Sequence, residues 1–368
     1  MAKGNGFGTA SKIRQVSRMD LPGGGKIEVD KGFAYVGHMD PPYGTSVIDV
    51  RDPKNPKLVA QLEVPPGIHS HKAAVSDGVM IVNYERYENN QDAQGGLKVF
   101  DVSDPSRPRE TAFFKASAKG VHRFTFDGRY AYFSPVPEGY VGNICMILDL
   151  ADPADPQEVG RWWMPGQWVA GGEEPTWPGT MHRCHHPIRR GDRLYVSYWH
   201  GGFVILDISD MSKPTLVSHF DTSPPFPSPT HTALPMPEKL MGREILMVVD
   251  EEAQKSAPLP YAFMWVVDIS DEAHPVPINV HAPRRRRAHR PVRRAPARGA
   301  GLQQRALRHL VQRRPAGGGR VQPVPAHGGG SLRARARQGT EHGPEQRCLP
   351  RRERAAVPHR PARRVGDP

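Results

Sequence analysis

The seventeen histidines of this sequence are more telling in their placement than in their number. His71 lies 6 residues before Asp77, and His122 lies 5 before Asp127. His185 and His186 lie 6 and 5 before Gly191, and His231 heads Thr232-Ala233-Leu234-Pro235 ahead of the apolar stretch Glu244 to Val249. Each stands just before a strand that ends in a Gly or Asp turn. Imidazoles brought together from equivalent places form the donor set of a borderline divalent metal such as Fe, Cu or Zn. His71, His122, His185, His186 and His231 are the candidate ligands, with His69 and His182 as supporting or alternative ones. The competing reading is structural: a repeated His can hydrogen-bond a neighbouring backbone and have no other task. No H-E-x-x-H or H-x-x-E-H helix motif favours the metal.

A second set of polar residues follows the next strand of each repeat: His38-Met39-Asp40, Glu85-Arg86-Tyr87, His200-Gly201-Gly202 and Asp250-Glu251-Glu252. These groups are candidates for acid–base work or are solvated loop residues. Glu173 and Glu251 are the candidate catalytic proton carriers. Cys184, between His182 and His185, reads as a soft ligand or as buried filler. Trp162, Trp163, Trp168 and Trp177 flank an irregular segment, Pro165 to Pro178, long enough to cover a site. The chain has no phosphate loop, dinucleotide fingerprint or Ser nucleophile elbow.

The elements that must position these residues come from a repeat. Five segments are self-similar: S-V-I-D-V-R-D-P-K-N-P, K-V-F-D-V-S-D-P-S-R-P, M-I-L-D-L-A-D-P-A-D-P, V-I-L-D-I-S-D-M-S-K-P and W-V-V-D-I-S-D-E-A-H-P. Their first acids are Asp49, Asp101, Asp149, Asp207 and Asp268, at separations of 52, 48, 58 and 61 residues. In each unit an aliphatic run forms a buried strand. An Asp three positions later (Asp52, Asp104, Asp152, Asp210, Asp271) starts a tight turn, because its carboxylate reaches backbone N–H groups two residues on. A further strand follows, and an earlier hairpin turns at Gly. Four short strands per unit, with no helical periodicity, predict the blades of a β-propeller.

The D-x-x-D-(P)-x-x-P motif resembles that of the LVIVD-repeat family, from about Gly23 to Ile278. The resemblance implies an all-β propeller of four-stranded blades and is silent about ligand or reaction. The expected organisation is an N-terminal segment over 1–22, blades 1 to 5 over 23–280, and an irregular Arg-rich tail over 281–368.

That tail decides the charge. From Asn279 to Pro368 there are 23 Arg, no Lys and 4 acidic residues, a net +19; the whole chain carries +12, so the first 278 residues carry 12 − 19 = −7. After Pro283 there is no Phe, Tyr, Trp, Ile, Lys or Met. The alternatives are a disordered basic tail and a GC-rich gene read out of frame. A one-nucleotide shift over Arg308 to Pro325 permits T-W-F-N-A-G-L-R-A-V-D-x-x-N-P, a further unit whose Asp falls at Gly319, 51 residues after Asp268. On that reading the intact protein has seven blades, of which five stand here in frame. The Arg clusters lack interleaved aromatics for base stacking, so no specific nucleic-acid partner is expected.

The three cysteines make no metal-type pair and no disulfide framework, and no apolar run approaches a membrane span. A cytoplasmic protein with no membrane partner is expected. Two functions fit: a platform binding a small molecule or protein at one propeller face, or a metal-dependent, oxidoreductase-like enzyme with a His cluster at the channel mouth.

Overall fold

The computed structural model describes residues 14–87, 93–116, 119–177, 181–223, 225–252 and 262–282. The expectations for the Arg-rich tail lie outside these residues. Five antiparallel sheets follow one another along the chain, each in sequence order. Blade 1 comprises β1 (Ile27–Asp30), β2 (Phe33–Gly37), β3 (Tyr43–Asp49) and β4 (Lys57–Glu63). In blade 2 the inner strand is broken into β5 (Ile68–His69) and β6 (Ala73–Ser76), followed by β7 (Val79–Arg86), β8 (Gly96–Asp101) and β9 (Arg109–Lys115). Blade 3 holds β10 (Val121–Phe126), β11 (Tyr130–Pro135), β12 (Cys145–Asp149) and β13 (Gln157–Trp162). Blade 4 holds β14 (Arg183–Arg190), β15 (Arg193–Trp199), β16 (Gly202–Asp207) and β17 (Thr215–Phe220). Blade 5 holds β18 (Thr230–Pro235), β19 (Ile245–Asp250), β20 (Met264–Asp268) and β21 (Val276–His281).

The repeated motif builds the same corner five times. The first Asp ends the third strand of its blade and accepts the N–H two residues on: Arg51 at Asp49, Ser103 at Asp101, Ala151 at Asp149, Ser209 at Asp207 and Ser270 at Asp268. The second Asp does the same for Lys54, Ser106, Ala154, Ser212 and Ala273. One feature was not foreseen: each first Asp also pairs with an arginine, namely Arg51, Arg109, Arg129, Arg193 or Arg243.

The third strands are buried on both sides, whereas the fourth are half exposed. In blades 2 to 4 both faces of the sheet are apolar because each packs on a neighbouring blade. Ile81, Leu97 and Val99 of blade 2 share a core with Phe124, Phe133 and Met146 of blade 3. Leu194, Val196 and Val204 of blade 4 meet Cys145 and Ile147 of blade 3. The inner strands pack in turn, β1 on β6, β6 on β10, β10 on β14 and β14 on β18. That succession places the starts of the inner strands around one mouth. The only helix among the described residues is one 3-10 turn, Val169–Gly171, and none is long and apolar enough to cross a membrane.

Candidate metal centre

Every inner strand from blade 2 to blade 5 begins with an extra residue. In β14 the register jumps between Cys184 and His186, leaving His185 as the bulged residue. In β18 it jumps between Thr230 and Thr232, leaving His231. In β10 it jumps between Val121 and Phe124, which sets His122 and Arg123 together against Ser134. In blade 2 the break between β5 and β6 carries His71 and Lys72. A bulge re-aims the side chain it carries, and here it does so in four successive blades.

The result is a chain of imidazoles. Ring centres lie 4.4 Å apart for His69 and His71, 5.6 Å for His71 and His122, 5.1 Å for His122 and His185, and 4.5 Å for His185 and His231. Two groups have donor atoms within 4.8 Å of one another: His69, His71, Glu85 and His122, and His185, His231 and Glu251. The groups meet where His122 Nε2 faces His185 Nε2 at 3.2 Å. Blade 1 has Gly25 and Lys26 where the others have histidine. A Cβ at Gly25 would collide with the carbonyl oxygen of His71, so no side chain fits there.

Hydrogen bonds determine the tautomers. His122 Nδ1 lies 2.7 Å from Glu85 Oε2, and His69 Nε2 lies 2.7 Å from the same oxygen. A carboxylate only accepts, so both nitrogens carry the proton. His185 Nδ1 lies 2.7 Å from the carbonyl oxygen of His231 and must donate as well. The Nε2 atoms of His122 and His185 are thereby left with their lone pairs. His231 donates from Nδ1 to Thr232 Oγ1 at 2.8 Å and accepts at Nε2 from Arg123 Nη2 at 2.7 Å. The ammonium of Lys72 lies against Nε2 of His71.

Burial keeps these rings neutral. Burial first, then Lys72, pushes His122 down to about 4 despite the pull of Glu85. Burial holds His185 and His231 well below the ordinary range, with His231 and Arg123 respectively as the next causes. Burial alone would raise the Glu85 carboxyl, but His122 and His69 outweigh it and hold it ionised. Glu251 goes the other way, raised by burial more than Arg123 lowers it.

Of the sequence candidates, His71, His122, His185, His231 and Glu251 come together, as do His69 and Glu85. His186 does not join them: it lies past the bulge and approaches Thr232 Oγ1 at 3.1 Å with Nδ1. Glu173 has a different task, accepting from Trp163 Nε1 at 3.1 Å and from the N–H groups of Gly166 and Trp168. It anchors the Trp-bearing segment, and none of these partners belongs to the histidine group. His38 is 1% exposed, bonded to the Gly23 carbonyl and, at 2.7 Å, to Ser46 Oγ. It is a peg within blade 1. His182 stacks on Trp177 at 4.6 Å. Cys184 is packed beside Cys145 and Tyr198, and burial holds its thiol protonated. Sequence reasoning missed Lys72 and Arg123, each directly after a candidate ligand. Their adjacency was visible, but their burial was not.

The LVIVD repeat model matches residues 91–114 and 190–222, which span the outer part of blade 2 and most of blade 4. The chain carries LVIVD repeats. A protein of Archaeoglobus fulgidus described as uncharacterized is 26% identical over 155 residues, 40% of this LVIVD-repeat chain and 22% of that relative. Among solved structures, a functionally unknown protein from Desulfotomaculum acetoxidans is similar at 13% identity and a TM-score of 0.47, over 72% of this chain and 73% of that one. Saccharomyces cerevisiae Sqt1 is similar at 7% identity and a TM-score of 0.46, over 71% of this chain and 61% of that one. Likenesses at this level bear on neither ligand nor partner of the LVIVD-repeat chain.

Proposed function

We propose that the chain is a metal-binding propeller whose inner-strand histidines hold a divalent transition metal at the channel mouth. The observation that carries this reading is the His122–His185 pair. Two Nε2 lone pairs face one another at 3.2 Å while the opposite nitrogens are committed to a carboxylate and a carbonyl. Lone pairs so close repel unless a cation stands between them. Two imidazoles bound at about 2.0–2.1 Å to a tetrahedral ion have nitrogens roughly 3.3–3.4 Å apart, close to this spacing. Glu85 and the His231 carbonyl act as the outer partners that orient metal-bound histidines.

His71 and His231 are the further ligands, reached by displacing Lys72 and Arg123 from their Nε2 atoms. An imidazole-rich set suits Fe, Cu or Zn and not Ca or Mg, which take oxygen. Glu251, grouped with His185 and His231, is the proton carrier if the bound ion works on a water.

The test is metal analysis of the purified full chain after loading with zinc, copper or iron(II). About one ion per chain is expected, lost on His122→Ala or His185→Ala and retained on His274→Ala, an exposed control. No uptake, or equal uptake by all variants, would return the chain to the platform reading.

A further inference from the structure

The mouth also holds two buried basic side chains that make no ion pair with a carboxylate among the described residues; burial pulls the Lys72 amine well below its ordinary range. Lys72 is 4% exposed and Arg123 8%. They occupy one ring position, the residue after the histidine in blades 2 and 3; Lys26, His186 and Thr232 hold it in blades 1, 4 and 5. Lys26 pairs with Glu28 at 2.9 Å. Among the described residues, neither Lys72 nor Arg123 has such an ion pair. Two acids act on them, Glu85 and Glu251; Glu85 spends its oxygens on His69 and His122, and Glu251 makes no ion pair with either among the described residues.

Their donors are also incompletely used. Arg123 gives one Nη2 proton to His231, while its Nε–H is buried with no hydrogen-bond partner among the described residues. The Lys72 ammonium rests on the His71 ring nitrogen. A guanidinium carries five N–H donors in a planar fork and an ammonium three, and both are matched by the oxygens of an anion. Leaving such charges buried and unpaired is costly, so a buried Arg ordinarily has an acidic partner.

We infer that Lys72 and Arg123 form an oxyanion site, taking the carboxylate or phosphate group of a small-molecule ligand beside the His122–His185 pair. The inference rests on the metal reading only for what lies next to the anion. Metal entry would strengthen the site, because taking the Nε2 lone pairs of His71 and His231 releases the Lys72 and Arg123 donors. The ligand class that follows is a small organic acid or phosphate ester whose anionic end is clamped while its other end faces the imidazoles.

The experiment is calorimetric titration of the full chain with acetate and, separately, inorganic phosphate at fixed ionic strength, both metal-free and zinc-loaded. Binding of at least one anion is expected, weakened about tenfold or more by Arg123→Gln and by Lys72→Met. Circular dichroism should stay unchanged. Arg123→Lys, which keeps the charge but loses the fork, serves if Arg123→Gln does not fold; intermediate affinity is expected. Acetate binding alone assigns a carboxylate, phosphate binding alone a phosphate ester. Absence of binding to either form, or equal binding by wild type and variants, overturns the site. Zinc uptake without anion binding defeats this inference alone. Arg123-dependent anion binding without metal uptake defeats the metal reading alone.

Discussion

His122 carries three pieces of chemistry at once: a proton at Nδ1 committed to Glu85, a lone pair at Nε2, and a ring kept neutral by burial. Unfolded, such a ring titrates near 6.5; folded, His122 resists protonation until about 4. Between those values the unfolded chain binds more protons, so acid favours unfolding. His185, His186 and His231 are lowered in the same direction. Asp250 and Glu251 oppose them, since burial raises both carboxyls, that of Asp250 to about 6, and the folded state takes those protons first. Four imidazoles outweigh two carboxyls. The urea midpoint of the metal-free chain should therefore fall as pH drops from about 6.5 toward 4. A flat or rising midpoint would contradict the buried, neutral cluster.

Glu85 gives a second prediction at this scale. Glu85→Gln replaces the carboxylate with an amide that can accept or donate, so the His122 tautomer is no longer fixed, and metal affinity should weaken by about 10- to 100-fold. Competition with a chelating dye reads the change. Unaltered affinity would mean that Glu85 serves only packing.

At the scale of the element, two devices recur in every blade. One is the Asp-led corner; the other is a register shift between the third and fourth strands, at Val47/Ile48, Val99/Phe100, Ile147/Leu148, Ile205/Leu206 and Val266/Val267. The corner was legible because its bonds span two residues and depend only on local backbone. The bulges were not legible. An extra residue is recognised only when the partner strand is known, and one residue decides which of His185 and His186 faces the mouth. Asp104→Ala removes the acceptor of the Ser106 N–H at 3.0 Å and Oγ at 2.6 Å. It should lower the denaturation midpoint slightly, read by chemical denaturation, with metal uptake unchanged. A loss of metal instead would show that blade 2 relies on this corner to hold His71.

Blades are joined by polar clamps as well as by cores. Arg193 bridges Asp207 of its own blade and Glu272 of the next, and Tyr195 donates to Glu272 at 2.8 Å. Arg189 reaches back to Asp127 at 2.8 Å. Such seams make each blade depend on its neighbour. No packing of inner strands comparable to that between successive blades joins β18 back to β1 among the described residues.

That arrangement gives the frame-shift reading its whole-molecule consequence. A gene restored by one nucleotide between codons 275 and 290 should encode the T-W-F-N-A-G unit and complete a seven-bladed ring. The restored protein is expected to unfold at higher temperature and aggregate less than this chain. Resequencing that interval is the direct check. An unchanged frame, together with a protease-resistant C-terminal region, would make the basic tail genuine.

The amino-acid sequence by itself determined the strands, the Asp corners, the five successive units and the class of residue at the start of each inner strand. All of these follow from alternation, turn chemistry and period, which act over a few neighbours. Only the tertiary structure decided which imidazoles meet. His122 and His185 are 63 residues apart, and their contact, their tautomers and the burial of Lys72 and Arg123 arise when bulged strands from four blades converge. Distances of this kind depend on how sheets pack on one another, and no local pattern encodes them.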